Sequence, residues 1–219
     1  MTTDTIKELV AKIAIDGYRD GSSTRAGVPY QPIPFDEFAD IPAQKGDRVR
    51  AEWEKVRELA QSPDRVLDIG ANIGFYSFML AKEGATDVMA VERDPDNVAV
   101  LKALATWSGL AVQVRPTVWE TMNGTYDLVL MLNVHHWIHK SDGEERTNLL
   151  MRMIALNCRQ LIFQTAHLEG GAFYTVPGLR NEDDIALYLT RMGFHDVRAV
   201  GKTMHGKERV LFSAKGAIV

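Results

Sequence analysis

VLDIGANIGFYS, residues 66–77, begins as an apolar strand, passes through a turn that holds Gly70 and Gly74, and continues as a helix. Small residues at such a turn allow the backbone to approach a ligand closely, and the helix N-terminus then points its amides at that ligand. An acidic residue, Asp68, stands inside the strand two positions before the first glycine. The stretch therefore predicts a strand–turn–helix unit that binds a ligand at its turn.

Outward from this turn, short apolar runs alternate with helical patterns along the rest of the chain. Strand-like runs read VMAVE, VQVRP, YDLVLMLN and QLIFQTA, while helical patterns read PDNVAVLKALATW, EERTNLLMRMIAL and DDIALYLTRMG. The last two runs, HDVRAV and RVLFSAK, have the pattern of a hairpin. Strands that alternate with helices predict an α/β fold, in which a parallel sheet is covered by helices on both faces.

The first 60 residues have a different pattern and form an extension to the predicted domain at 61–219. A helical pattern at 6–15 and an amphipathic helix at 48–60 enclose an irregular stretch at 17–44. Irregular segments of this length are usually lids or disordered tails. Because this one carries Tyr18, Tyr30, Phe35 and Phe38, we expect it to dock over the carboxyl edge of the sheet as a cofactor lid. Packing elsewhere for stability is the alternative.

The composition limits the classes of protein to which this chain can belong. The 219 residues are 46% hydrophobic and 25% charged, as in an ordinary globular protein. A net charge of −4 argues against a nucleic-acid partner, which requires a dense basic face. The single cysteine, Cys158, cannot form an internal disulfide, and the chain shows no signal segment and no transmembrane segment. These features predict a cytoplasmic protein, and the sequence does not indicate its oligomeric state.

The ligand at the turn is not predicted to be a nicotinamide dinucleotide. That fingerprint requires glycine at positions 70, 72 and 75, where this chain has Gly70, Asn72 and Phe75. A carboxylate, Glu92, ends the second strand 22 residues after Gly70 and can accept both hydroxyls of a ribose. A nicotinamide oxidoreductase is therefore the weaker alternative.

The order of Asp68, Gly70 and Gly74 resembles the first motif of class I S-adenosylmethionine-dependent methyltransferases: an acid, any residue, glycine, three residues and glycine. The resemblance implies S-adenosyl-L-methionine as cofactor and a Rossmann-like, mostly parallel seven-stranded sheet. It also implies that Asp68 faces the methionine ammonium and Glu92 the ribose. Asn72, where many relatives have glycine, tolerates a positive φ. The predicted cofactor-binding residues are Tyr30, Gln31, Asp68, Gly70, Asn72, Gly74, Phe75, Glu92, Arg93, Val118 and Asn133.

The fourth strand, YDLVLMLN, is followed at once by the histidine-rich run VHHWIH. Ligands of doubly wound sheets bind beyond the carboxyl ends of the strands, so His135 and His136 are the predicted catalytic residues. Imidazole can remove the proton of an acceptor hydroxyl or nitrogen. The alternative is one structural and one surface histidine. His167, after the fifth strand, could also reach the acceptor. No zinc site is predicted, because no second ligand pair has suitable spacing.

Two narrower resemblances concern the acceptor. GFYSF and DLVLMLNV resemble tRNA wobble-uridine carboxymethyl-transferring enzymes. YQPIPFDEF, GFYSFMLAKEGAT, the two histidines and AFY at 172–174 resemble the methyltransferase domain of O-antigen chain-terminating enzymes. In that second family the Tyr-Gln segment lies over the cofactor, which implies this role for Tyr30 and Gln31. It has one more residue before its histidines, which leaves open whether His135 or His136 leads.

The predicted function is methyl transfer from S-adenosylmethionine to a small-molecule or glycan-type acceptor, on oxygen. An RNA base methyltransferase and a catalytically silent S-adenosylmethionine-binding partner subunit are the alternatives. The missing basic face argues against the first of these alternatives. The intact Asp68, Gly70, Gly74 and Glu92 argue against the second.

Overall fold

The computed structural model describes residues 1–13, 28–121, 124–167, 175–204 and 208–218. Tyr18 and the AFY run at 172–174, which the sequence analysis singled out, lie outside the described residues. Within the described ranges, no helix is both long enough and apolar enough to cross a bilayer.

Helices and strands alternate as the sequence predicts. The helices are α1 (Thr3–Ile13), α2 (Gly46–Ala60), α3 (Phe75–Lys82), α4 (Pro95–Ser108), α5 (His135–Asp142), α6 (Glu144–Asn157) and α7 (Glu182–Arg191). The strands are β1 (Arg65–Ile69), β2 (Asp87–Val91), β3 (Val112–Arg115), β4 (Tyr126–Leu132), β5 (Cys158–Gln164), β6 (His195–Met204) and β7 (Glu208–Lys215). Short 3₁₀ turns lie at Asp36–Phe38 and Val118–Thr121.

The seven strands form one sheet in the order β3-β2-β1-β4-β5-β7-β6. β7 is antiparallel to β5 and β6, and the pairs among β1 to β5 are parallel. The predicted Rossmann-like, mostly parallel seven-stranded sheet with a final hairpin is therefore confirmed. Strand order reverses between β1 and β4, and a crevice for ligands opens at such a point beyond the carboxyl ends of the strands.

Apolar side chains fill both faces of the sheet. One buried cluster joins α1 to α4 and includes Trp53, Phe78 and Leu104. The second joins α6 and α7 and includes Ile154 and Leu189. Because helices cover both faces, a ligand can reach this sheet at the ends of its strands.

The aromatic side chains of the extension dock beside the sheet. Phe35 and Phe38 pack edge-on against Trp107, with ring centroids 5.2 and 5.1 Å apart, and Phe35 also contacts Phe78 at 5.4 Å. Trp107 lies in the last turn of α4, which runs away from the carboxyl edge. The sequence analysis expected these two rings to cover the carboxyl edge. They pack instead on the apolar surface of α3 and α4, which lies nearer to them.

Candidate functional site

The turn after β1 has a backbone conformation that favours glycine at two positions. Gly70 and Gly74 have φ values of 78° and 92°, which favour glycine. A Cβ at Gly70 would lie 2.6 Å from a methyl carbon of Val134, and one at Gly74 would lie 2.7 Å from Leu101. Asn72 has a φ of 55°, so the prediction that asparagine supports the turn is confirmed. Glycine at these two positions thus allows the turn to pack closely against neighbouring side chains.

Glu92 anchors this turn from the neighbouring strand. One carboxylate oxygen accepts the backbone N–H of Asn72 and the other accepts that of Asp94, each at 2.8 Å. Burial raises the pKa of Glu92, while these backbone hydrogen bonds oppose the shift. Each carboxylate oxygen has a second lone pair, so the group can still accept hydroxyls of a ribose.

A cavity of about 490 Å³ adjoins the turn, a size typical of small-molecule sites. Its lining includes four of the predicted cofactor residues, namely Gly70, Glu92, Arg93 and Val118. The other predicted cofactor residues are outside the lining.

The same cavity is lined by residues that the sequence analysis did not assign to it. Trp119 lies on the lining, with the Arg146 guanidinium 5.0 Å from its ring. Val134, Trp137 and Ile138 also line it, and the sequence analysis missed them. The sequence analysis assigned no helix to this histidine-rich run, whereas the chain turns at once into α5.

Asp68 lies beneath the turn, fully enclosed. Its carboxylate accepts the Ser77 hydroxyl at 2.6 Å. Burial raises the pKa of Asp68 to about 6, the Ser77 hydrogen bond opposes the shift, and the nearby charge of Glu92 adds to it. In the described part of the chain, no ion pair joins either acid to a basic side chain. Two buried carboxylates without a cation fit a positively charged ligand.

The extension reaches the same turn through Gln31, and the neighbouring Tyr30 is held within the extension. Gln31 is buried, and its side-chain oxygen accepts the backbone N–H of Phe75 at 3.2 Å, at the start of α3. The Tyr30 hydroxyl accepts a hydrogen bond from Arg48 at 2.6 Å. The Phe75 ring itself packs against Tyr76, with centroids 5.4 Å apart, so Phe75 meets the extension through its backbone.

Asn133 directly follows β4 at the carboxyl edge of the sheet, with a φ of 60°. Its side-chain nitrogen donates to Gln164 at 2.5 Å, its oxygen accepts a hydrogen bond from Arg209, and its backbone N–H donates to the Gln164 carbonyl at 2.8 Å. The Gln164 amide also donates to Thr203 at 2.8 Å. The sequence analysis did not predict Arg209 or Gln164 as residues of this cluster. Each is a polar residue within an apolar strand-like run, and that pattern was the signal that could have indicated them.

The two histidines have different surroundings. His135 is fully buried, with one ring nitrogen 3.0 Å from the Tyr188 hydroxyl and the other 3.4 Å from Thr165. The aromatic ring of Phe163 packs against it at 5.2 Å. Burial lowers the pKa of His135 to about 3, and the charge of His139 contributes. With both nitrogens occupied by protein groups, His135 is a packed interior residue.

His136, the next residue, has a hydrogen-bonding contact at one ring nitrogen only. Its Nδ1 lies 3.4 Å from the Thr165 hydroxyl, and its Nε2 meets no hydrogen-bonding group in the described ranges. Burial lowers the pKa of His136 to about 3, with smaller contributions from the charges of Arg209 and His135. The ring is therefore neutral at physiological pH. His167 is also buried, just beyond β5.

The glycine turn, the adjoining cavity and the two unpaired carboxylates fit S-adenosylmethionine, which combines an adenosine with an ammonium and a sulfonium. Residues 66–155 match the family described as methyltransferase domain. The chain carries an S-adenosylmethionine-dependent methyltransferase domain, and S-adenosyl-L-methionine is its cofactor.

Among particular relatives, this chain is similar to the O-antigen chain terminator bifunctional methyltransferase/kinase WbdD of Escherichia coli. Two such sequences are 26% and 30% identical to it over 166 residues. The alignment covers 73% of this chain, which spans only 22% of the length of these relatives.

Solved structures share the fold. A crystal structure of WbdD has a TM-score of 0.68 and 21% identity, with 94% of this chain and 46% of that chain covered. The N-terminal domain of EvdMO1, crystallised in the presence of SAH and D-fucose, has a TM-score of 0.68 and 13% identity. That match covers 99% of this chain and 97% of the other.

Proposed function

We propose that this chain transfers the methyl group of S-adenosylmethionine to a hydroxyl oxygen of a small-molecule or glycan-type acceptor, with His136 as the general base. The observation that supports this proposal is the neutral, buried ring of His136, whose Nε2 has no hydrogen-bonding partner in the described ranges. The named relatives support a glycan acceptor: one terminates O-antigen chains, and the other was crystallised with D-fucose.

Cofactor binding divides between the two sides of the turn. Adenine and ribose would occupy the cavity beside Glu92, while the buried carboxylate of Asp68 would face the methionine ammonium. When bound, S-adenosylmethionine supplies a methyl group on a sulfonium, which reacts by in-line displacement. Rigid positioning of donor and acceptor supplies much of the rate of such a reaction.

His136 would receive the proton that the acceptor hydroxyl loses. As the new carbon–oxygen bond forms, that hydroxyl becomes a far stronger acid than an imidazolium, so even a base of lowered pKa accepts its proton. Thr165 holds the Nδ1 side of the ring at 3.4 Å, which would leave Nε2 to receive the proton. The lowered pKa keeps the ring unprotonated and ready in the resting enzyme.

The extension at 1–60 would act as a cofactor lid on the domain at 61–219. Its described contact with the site is Gln31, which accepts the N–H of Phe75 beside the glycine turn. Tyr30 lies next to it and is held by Arg48. Because Phe35 and Phe38 are fixed on the helical face, closure would be confined to the part of the segment around Tyr30 and Gln31.

The test compares His136→Ala with His139→Ala, a matched variant three residues further along α5. S-adenosylhomocysteine release would be measured with a panel of sugars and glycosides and with total tRNA. We expect His136→Ala to lower kcat by about 10²- to 10⁴-fold, the usual contribution of a general base. Cofactor affinity by calorimetry should stay unchanged in both variants.

Full turnover by a folded His136→Ala enzyme would show that positioning alone drives the reaction. Turnover with tRNA and none with any sugar or glycoside would replace the proposed acceptor with a nucleic acid.

A further inference from the structure

A path of hydrogen-bonding contacts leads from α6 and α7 to the two histidines of α5. The Tyr188 hydroxyl, on α7, donates to Oδ1 of Asn148, on α6, at 3.1 Å, and it lies 3.0 Å from Nε2 of His135. The hydroxyl of Thr165, which directly follows β5, lies 3.4 Å from Nδ1 of His135 and 3.4 Å from Nδ1 of His136. These contacts form one continuous path that ends at the proposed base.

The titratable members of this path are uncharged at neutral pH. Burial lowers the pKa of His135 and of His136 to about 3. Burial also raises the pKa of Tyr188, and the charge of Glu144 adds to that shift, so the hydroxyl keeps its proton. A neutral imidazole has one N–H and one nitrogen that accepts, and each hydroxyl has one hydrogen to donate. The direction of one contact therefore sets the direction of the next.

The contact between Tyr188 and Asn148 gives the path its direction. Because Tyr188 donates its hydrogen to Asn148, its oxygen accepts the N–H of His135 at Nε2. Nδ1 of His135 then has no hydrogen and accepts the Thr165 hydroxyl. The Thr165 oxygen in turn accepts a hydrogen from Nδ1 of His136. Nε2 of His136 is left with its lone pair and without a proton.

This tautomer is the one that a general base at Nε2 requires. Neutral histidine in water favours the other tautomer, in which Nε2 carries the hydrogen and cannot receive a second proton while the ring stays neutral. In a protein, the nitrogen that carries the hydrogen is set by the hydrogen bond that the ring makes. Nε2 of His136 has no hydrogen-bonding partner in the described part of the chain, so the selection falls to the contact at Nδ1.

We propose that Asn148, Tyr188, His135 and Thr165 are positioning residues, which hold His136 in the tautomer whose Nε2 is free to accept a proton. This inference rests on the proposed function, since it takes His136 as the base and adds the residues that set its protonation. It gives the buried His135 a role that its packing alone does not explain. The competing state is the reversed path, in which Asn148 donates through its amide nitrogen and Nε2 of His136 carries the hydrogen.

Two substitutions interrupt the path with little change in shape. Tyr188→Phe removes the hydroxyl but keeps the ring, which packs against His135 with centroids 5.2 Å apart. His135 then loses the acceptor for its Nε2 hydrogen and should carry the hydrogen at Nδ1, which reverses the contacts beyond it. Thr165→Val removes the contact to both histidines, and Thr165→Ser retains the hydroxyl.

The matched control is Tyr126→Phe. Tyr126 is buried, and its hydroxyl donates to the Thr121 carbonyl at 2.8 Å, so this variant also loses a tyrosine hydrogen bond. Tyr126 lies at the first residue of β4, at the opposite end of that strand from the histidines. The control therefore separates loss of stability from loss of the path.

The first measurement is the tautomer of His136, read by nitrogen–proton correlation NMR on protein labelled with ¹⁵N-histidine and assigned with His136→Ala. We expect the hydrogen at Nδ1 in wild type, Thr165→Ser and Tyr126→Phe. The form with the hydrogen at Nε2 should increase in Tyr188→Phe and Thr165→Val. This measurement needs no methyl acceptor, so it stands apart from the test of the proposed function.

The second measurement is the kinetics of the same variants on an acceptor found in the panel, after circular dichroism confirms folding. We expect Tyr188→Phe and Thr165→Val to lower kcat by about 3- to 10-fold, the bias that one neutral hydrogen bond supplies. The acceptor KM and the affinity for S-adenosylhomocysteine should stay unchanged, and Thr165→Ser should restore kcat. Tyr188 is half-buried, so Tyr188→Phe provides the test if Thr165→Val does not fold.

Three results would overturn the proposal. A hydrogen at Nε2 of His136 in the wild type would show that the path runs in the reverse direction. An unchanged tautomer in folded Tyr188→Phe and Thr165→Val would reject the control of His136 by these residues. A changed tautomer with an unchanged kcat would reject a role in catalysis. Full turnover by His136→Ala is a separate result, which refutes the proposed base itself.

Discussion

Between pH 8 and pH 5, His135 should lower the free energy of unfolding of the wild type by about 2 kcal/mol, because pKa shifts and folding stability are linked. Replacing His135 with asparagine should abolish this loss. Burial lowers the pKa of His135 from 6.5 to about 3, so the unfolded chain binds a proton that the folded protein refuses. Stability that is present above pH 6.5 is therefore lost as the pH falls toward 3. A pH of 5 lies 1.5 units below the pKa of the imidazole in the unfolded chain. At 1.36 kcal/mol per unit, protonation there stabilises the unfolded chain by about 2 kcal/mol.

The difference between variant and wild type is the informative quantity, because other groups titrate in the same range. His136 has the same lowered pKa and adds a similar loss. Asp68 acts in the opposite direction: its pKa is raised to about 6, so the folded protein gains stability as the pH falls through that value. Subtracting the two profiles isolates His135.

The assay is urea unfolding of wild type, His135→Asn and His195→Asn at pH 8, 7, 6 and 5. His195 is exposed and loses little hydration on folding, so its substitution is the matched control. His135→Asn should be less stable than wild type at pH 8, since the contact with Tyr188 is lost, and this deficit should shrink as the pH falls. Parallel profiles for wild type and His135→Asn would refute the burial argument.

Two further predictions concern the cofactor site. Glu92→Ala should weaken S-adenosylhomocysteine binding by about 10- to 100-fold, since hydrogen bonds to a charged group are lost. Calorimetry measures this, with the exposed Glu83→Ala as control, and an unchanged dissociation constant in a folded Glu92→Ala protein would remove Glu92 from the site. Hydrogen exchange at 28–44 should slow on addition of S-adenosylhomocysteine, with the change confined to the region of Tyr30 and Gln31. Identical exchange in both states would contradict cofactor-coupled closure.

The sequence by itself determined the fold and predicted that four residues would meet around the glycine turn. Alternation of apolar and amphipathic runs specifies the order of strands and helices, because each element must bury one face. Asp68, Gly70, Gly74 and Glu92 could be placed together because the first three belong to one continuous strand and turn, and Glu92 directly follows the neighbouring parallel strand. Local conformation and the geometry of a parallel sheet were sufficient for this part.

Only the tertiary structure distinguished the two histidines. Successive residues of an α-helix point about 100° apart, so the immediate start of α5 after β4 turns His135 toward α7 and leaves His136 at the carboxyl edge. The sequence gives two adjacent histidines with equal chemistry. Their difference depends on where Tyr188, some 50 residues later, comes to lie.

The same reason applies to the groups that the sequence analysis did not single out. Arg48 donates a hydrogen bond to Tyr30 and Glu52 accepts one from Tyr76, and these two tyrosines come from different parts of the chain. The destination of Phe35 and Phe38 was likewise set by the apolar surface that α3 and α4 offer. Local sequence patterns record which residues seek burial or hydrogen bonds, but the partners are chosen by packing between segments distant in the chain, and that packing exists only in the folded protein.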